Sequence, residues 1–160
     1  MALLLAMACR SRGSRMTEIK KLTRLERKEV GEWLIDLDYL PGAMAKGGTA
    51  EYCFTVTVRP KTPGKPIEAD DQKFSFGTDS LFCMIAGNES DTLLPVFTTR
   101  VANGKLTGLE YMVIFDKAVV LSADKGLRLL FRDWLFTNRN LLFVVPIAEI
   151  QKIDSISLHI

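Results

Sequence analysis

Most of the chemistry open to this chain would rest on acidic side chains, because it has one histidine and three cysteines. Asp36 and Asp38 stand two apart in the run Trp33–Leu40. On a strand that spacing puts both carboxylates on one face, where with a third ligand they could hold Mg2+ or Ca2+. The same pair suits a solvated strand face that resists edge pairing, and this is the reading the sequence favours. Glu68, Asp70 and Asp71 cluster in a loop but lack the glycine and distal glutamate of a calcium loop. His159 stands next to the C-terminal residue given. With no second histidine, Ser-His-Asp hydrolysis and histidine zinc sites lack their usual parts.

Gly77-Thr78-Asp79-Ser80 sits where a strand is expected to meet a helix, a position at which free N–H groups bind anions. Neither GxxxxGK[ST] nor GxGxxG is present, and Asp79 would repel an anion, so helix capping is the better account. Cys83, between Phe82 and Met84, has no cationic neighbour in sequence to activate it. It and Cys53 read as small buried hydrophobes. Asn88-Glu89-Ser90 fits the glycosylation sequon, which matters only in a secretory pathway. The sequence therefore predicts no catalytic residue, no metal site and no cofactor. It leaves the question of enzyme activity open, leaning to none.

Charge is uneven along the chain. Arg10 to Lys28 holds eight Lys/Arg against two acids, or +6, while Glu29 to Ile160 holds 13 against 17, or −4. The net +2 argues against a surface made wholly for nucleic acid. Lys20, Lys21, Arg24, Arg27 and Lys28 are the candidate anion-binding residues, for phosphates or an acidic protein. No aromatic lies among them to stack a base. Trp33, Tyr39 and Tyr52 are candidate partner-binding anchors, although core positions also suit them.

These side chains need elements to position them. Length and 48% apolar content fit one domain, residues 17–160, behind a flexible leader, residues 1–16, with Met16 as an alternative start. Ala2–Ala8 is an apolar run before Cys9, but no positive charge precedes it, unlike a signal peptide. No stretch offers the roughly 18 uncharged apolar residues of a membrane span. Three cysteines without CxxC spacing argue for a reducing compartment, the cytoplasm.

Trp33–Leu40 and Tyr52–Val58 alternate as the strands of a long-looped antiparallel hairpin. Arg59–Lys73, with three prolines, reads as an exposed loop, and Lys73–Phe76 as a short strand. A helix is expected over Asp79–Ala86. Leu93–Val101 and Leu106–Phe115 flank Asn103-Gly104, a hairpin signal. Leu127, Leu130, Phe131, Trp134 and Leu135 recur at helical spacing within Ala123–Thr137, and Leu141–Val145 reads as a strand. That helix would bury Trp134, so Trp134→Ala would cost about 3–5 kcal/mol. Ser155–Ile160 alternates as a last strand, behind a turn or a single helical turn at Ala148–Lys152.

The expected fold is α+β: a mainly antiparallel sheet of about six or seven strands with two helices packed on one face. The expected function is a small, intracellular, non-enzymatic protein-binding module of the interaction or immunity type, with an unknown protein partner. Nucleic-acid or acidic-surface binding through the basic segment is the alternative. A metal-dependent enzyme using Asp36 and Asp38 comes third.

Overall fold

The computed structural model describes residues 23–42, 50–67, 77–86, 91–102, 108–122 and 126–157. In chain order its strands are β1 (Arg24–Val30), β2 (Trp33–Leu40), β3 (Glu51–Pro60), β4 (Phe82–Ala86), β5 (Asp91–Leu93), β6 (Phe97–Arg100), β7 (Leu109–Asp116), β8 (Arg128–Asp133) and β9 (Arg139–Val144). Two helices are described, α1 (Lys117–Ser122) and α2 (Ile147–Ser157). The strands form two antiparallel sheets, β1-β2-β3-β7-β6 and β5-β4-β8-β9.

Period-two alternation builds the first sheet. Ile35, Leu37 and Tyr39 of β2, Phe54, Val56 and Val58 of β3, and Tyr111, Val113 and Phe115 of β7 are all buried. Thr55 and Thr57, on the other face, are half-buried. β1 and β2 turn at Gly31, whose φ of +56° is costly for a residue with a Cβ. The second sheet supplies Phe82 and Met84, Leu129 and Phe131, and Leu141 and Phe143 to the same apolar core.

The helices sit elsewhere than expected. Asp116 caps α1, its carboxylate accepting the N–H groups of Ala118 at 2.8 Å and Val119 at 3.2 Å. In α2, Ile150 and Ile153 are buried, three apart on one face. Its Asp154 accepts the Tyr39 hydroxyl at 2.7 Å and the Lys117 ammonium at 3.4 Å. Tyr39 closes β2 and Lys117 follows β7, so α2 docks at one end of the first sheet rather than across a face. No helix among the described residues is long and apolar enough to cross a membrane.

Broadly, then, the protein is α+β and mostly antiparallel sheet, with two helices among the described residues. The hairpin of β2 and β3 stands as read. The single sheet of six or seven strands is replaced, among the described residues, by nine strands in two sheets. In place of the helix over Asp79–Ala86 there is a 3₁₀ turn, Thr78–Ser80, and then β4. Phe82, Cys83 and Met84 are all fully buried, and a short run buried on both faces has no periodicity to tell strand from helix. The Ala123–Thr137 helix is replaced by β8 and a turn at 134–137, so Trp134 is half exposed. The Leu93–Val101 run is divided between the two sheets around Pro95, which has no N–H to give a ladder. Ser155–Ser157 ends α2 instead of starting a strand. Lys73–Phe76, Asn103-Gly104 and His159 lie outside the described residues.

Candidate functional site

Tyr39 and Tyr52 point into the core, because the alternation that buries Ile35 and Phe54 buries them as well. Burial and the Asp154 carboxylate both push the Tyr39 phenol up. Neither ring can anchor a partner from there. Trp33 is half-buried against Phe136, ring centroids 4.9 Å apart.

Of the basic candidates, Lys20 and Lys21 lie outside the described residues. Arg24, Arg27 and Lys28 stand on β1, each bound to an acid. Arg27 grips Asp36 with two nitrogens, Arg24 bonds Asp38 at 3.3 Å, and Lys28 pairs with Glu26. Arg59 of β3 reaches Asp36 at 3.3 Å and Arg24 lies 3.7 Å from it. Asp36 is therefore only 2% exposed, contrary to the solvated face expected of it. Three guanidinium groups hold this carboxylate where a metal ion would need it free. Among the described residues no three His, Cys, Asp or Glu side chains converge as metal ligands. Burial raises the thiols of Cys53, to about 11, and of Cys83, which disfavours the nucleophilic thiolate at either.

The two aspartates respond to pH in opposite senses. Burial pushes the Asp36 carboxyl up, but the Arg27 hydrogen bond and the charges of Arg24, Arg27 and Arg59 carry it below its usual range. Its contribution is present above the ordinary carboxylate range near pH 4 and is lost as pH falls through the lowered folded value. Asp38 is raised, by burial first and then by the charges of Asp36 and Glu110, against the opposing effect of Arg24. Its protonated form suits the fold, so stability is fullest below the ordinary range and declines as pH rises through the raised value. Asp36→Asn should cost about 1–3 kcal/mol at neutral pH, and Asp38→Asn should change stability by less than about 1 kcal/mol. Urea midpoints measured from neutral to acid pH check this. An Asp36→Asn variant as acid-labile as the parent would refute the assignment.

One exposed apolar surface lies on the β8–β9 hairpin, which the sequence reading overlooked; another, Leu94, Val96 and Phe97, lies where the chain passes from β5 to β6. Trp134 is 51% exposed, Leu142 37% and Val144 60%. Leu141 and Phe143 face the core, so alternation turns Leu142 and Val144 outward. Across the register Leu142 meets Leu130, Val144 meets Arg128, and Asn140 meets Arg132. The result is an apolar centre with arginines beside it. The only signal in sequence was Leu141–Val145 itself, apolar on both faces, which suits a strand covered on both sides.

One flank of this surface is closed. The Val145 N–H bonds the Leu127 carbonyl at 2.9 Å, so by antiparallel alternation the Val144 N–H turns away from β8. There the Glu26 carboxylate of β1 accepts it at 2.8 Å. Lys28 binds Glu26 and lies 5.2 Å from the Phe143 ring centre. Side chains, rather than strand pairing, close the seam between the sheets at this point. A partner would therefore meet the face of the hairpin, not this part of its edge.

At the tip of the hairpin, Arg132, Asp133, Trp134, Asn138, Arg139 and Asn140 line a groove of about 260 Å3. No family model, curated protein or solved structure matches this chain.

Proposed function

We propose that this protein is a non-enzymatic protein-binding module that docks a partner on the outer face of β8–β9. The observation that carries the reading is the exposure of Trp134, Leu142 and Val144 on one hairpin, with Arg128 and Arg132 opposite the strand that bears two of them. Large apolar side chains displayed together favour a surface that another molecule covers. Tryptophan and arginine are the residue types that most often dominate binding energy at such surfaces.

Trp134→Ala and Val144→Asp test it. Each removes or charges an exposed side chain, so each should shift unfolding free energy by less than about 1 kcal/mol. For Trp134→Ala this replaces the 3–5 kcal/mol that a buried helix position implied. Proteins retained by the tagged full chain in extract of its source at high salt would be compared with those retained by the two variants. The expected result is a partner held by the parent and lost by both folded variants. A partner held equally by all three would place its contact elsewhere and end this reading.

A further inference from the structure

The groove at the hairpin tip has a one-sided chemistry. Asp133 is the only carboxylate in its lining, and it is buried. Its oxygens already accept the N–H groups of Leu135, Phe136 and Thr137 and the Thr137 hydroxyl, at 2.7–3.2 Å. What remains to face a ligand is an indole, two guanidinium groups and two amides. Arg132 is held in place, donating to the Ser80 carbonyl at 3.1 Å. Among the described residues the side chains of Arg139, Asn138 and Asn140 make no ion pair or hydrogen bond. They are donors without acceptors, and Arg139 is a cation without an anion.

The geometry points to a carboxylate-binding groove: the partner presents an extended acidic peptide segment, its acid among Arg132, Arg139 and the asparagines, its apolar side chains over Leu142 and Val144. This deepens the docking reading above and rests on it. Charge complementarity supplies the acid, since a planar guanidinium matches a carboxylate with two parallel hydrogen bonds. The neighbouring surface supplies the rest. Asn140, Leu142 and Val144 share one face of β9 and follow one another at about 7 Å, the repeat of alternate residues in an extended chain. A peptide running along them presents an acid first and then apolar residues at alternate positions.

Nucleic acid fits less well. A strand of nucleotides needs cations that track its backbone over several phosphates. Among the described residues outside the groove, Arg24, Arg27, Lys28, Arg59, Lys61, Lys65 and Lys117 are each paired with a carboxylate. Next to the groove lie Leu142 and Val144, which suit apolar side chains rather than a sugar–phosphate backbone.

A display library of random peptides of about eight residues, panned against the full chain, tests this. The enriched sequences should carry Asp or Glu followed by apolar residues at alternate positions. A labelled representative should lose affinity about tenfold when its acid becomes the amide, and by a similar factor with Arg139→Gln, whose melting temperature should match the parent's. Enriched peptides without an acid, whose binding Val144→Asp abolishes and Arg139→Gln does not, would overturn the carboxylate assignment and leave the docking surface standing. No enrichment would count against both. Oligothymidylate bound more tightly than the best peptide, and lost with Arg139→Gln, would give the groove to nucleic acid and overturn the proposal.

Discussion

Phe131→Ala should destabilise the protein by about 3–5 kcal/mol, the largest loss expected from any single substitution considered. Its ring is fully buried and stacks on Phe82, centroids 4.8 Å apart and planes 11° from parallel. Tyr111 lies 6.4 Å from Phe131 and 5.6 Å from Phe82, tilted to both. Phe131 and Phe82 are paired neighbours on β8 and β4, while Tyr111 comes from β7 of the other sheet. The three rings thus join the two sheets. Removing the Phe131 ring leaves a cavity that two separate sheets must collapse together to fill, which close-packed interiors do only in part. Phe131→Leu keeps most of the apolar volume and should cost clearly less. Urea unfolding of both variants checks this. A loss below about 1 kcal/mol for the alanine variant would mean that the sheets are held together elsewhere.

That ring cluster marks where the sequence stopped being legible. Strands with one buried face were readable: Trp33–Leu40 and Tyr52–Val58 alternate apolar with polar, and they pair as that pattern requires. Around Phe131 the pattern fails. Arg-Leu-Leu-Phe-Arg-Asp carries apolar residues on both faces, so Leu127, Leu130, Phe131 and Trp134 also fit a helix. The choice is made by β4 and β9, which flank β8, and by Gly126 and Asn138, whose positive φ values shape the chain on either side of it. Pairing partners distant in sequence cannot be seen in a local window. Ser155–Ser157 failed in the other direction, whereas a helical turn was one of the two readings open for Ala148–Lys152. Two serines around Ile156 imitated strand alternation, while Ile150 and Ile153 held the helical spacing that packing selected.

The candidate site was hidden for the same reason. Whether Leu142 and Val144 are covered depends on whether anything lies over the outer face of β9, and five apolar residues in a row do not say so. Asp36 was misread because its partners Arg27 and Arg59 stand 9 and 23 residues away. Only the folded sheet makes them converge on one carboxylate. Residue types were legible throughout, whereas exposure, which decides between core and contact surface, was set by tertiary pairing.

Asp133→Ala should cost about 2–4 kcal/mol, an effect out of proportion to one short side chain. Asp133 ends β8 with its carboxylate turned inward. One oxygen accepts the Leu135 N–H at 3.2 Å and the Phe136 N–H at 3.0 Å. The other accepts the Thr137 N–H at 2.9 Å and its hydroxyl at 2.7 Å. Three successive backbone donors, which no strand neighbour can reach because the chain is reversing, are thus satisfied by one residue. Alanine leaves them to find water at half-buried positions. The turn then loses what fixes Trp134 above the groove and Phe136 against Trp33. Asparagine retains one acceptor oxygen and its amide nitrogen can only donate, so Asp133→Asn should lose the bonds at Thr137 and cost roughly half as much. Hydrogen exchange separates this loss from a general one. Amides of residues 135–137 should lose protection first in Asp133→Ala, and that of Thr137 first in Asp133→Asn, while those of β2 and β3 follow only the change in global stability. Unaltered protection at 135–137 in Asp133→Ala would show that the turn holds its shape without the carboxylate. The groove's geometry would then depend on the strands of the hairpin alone.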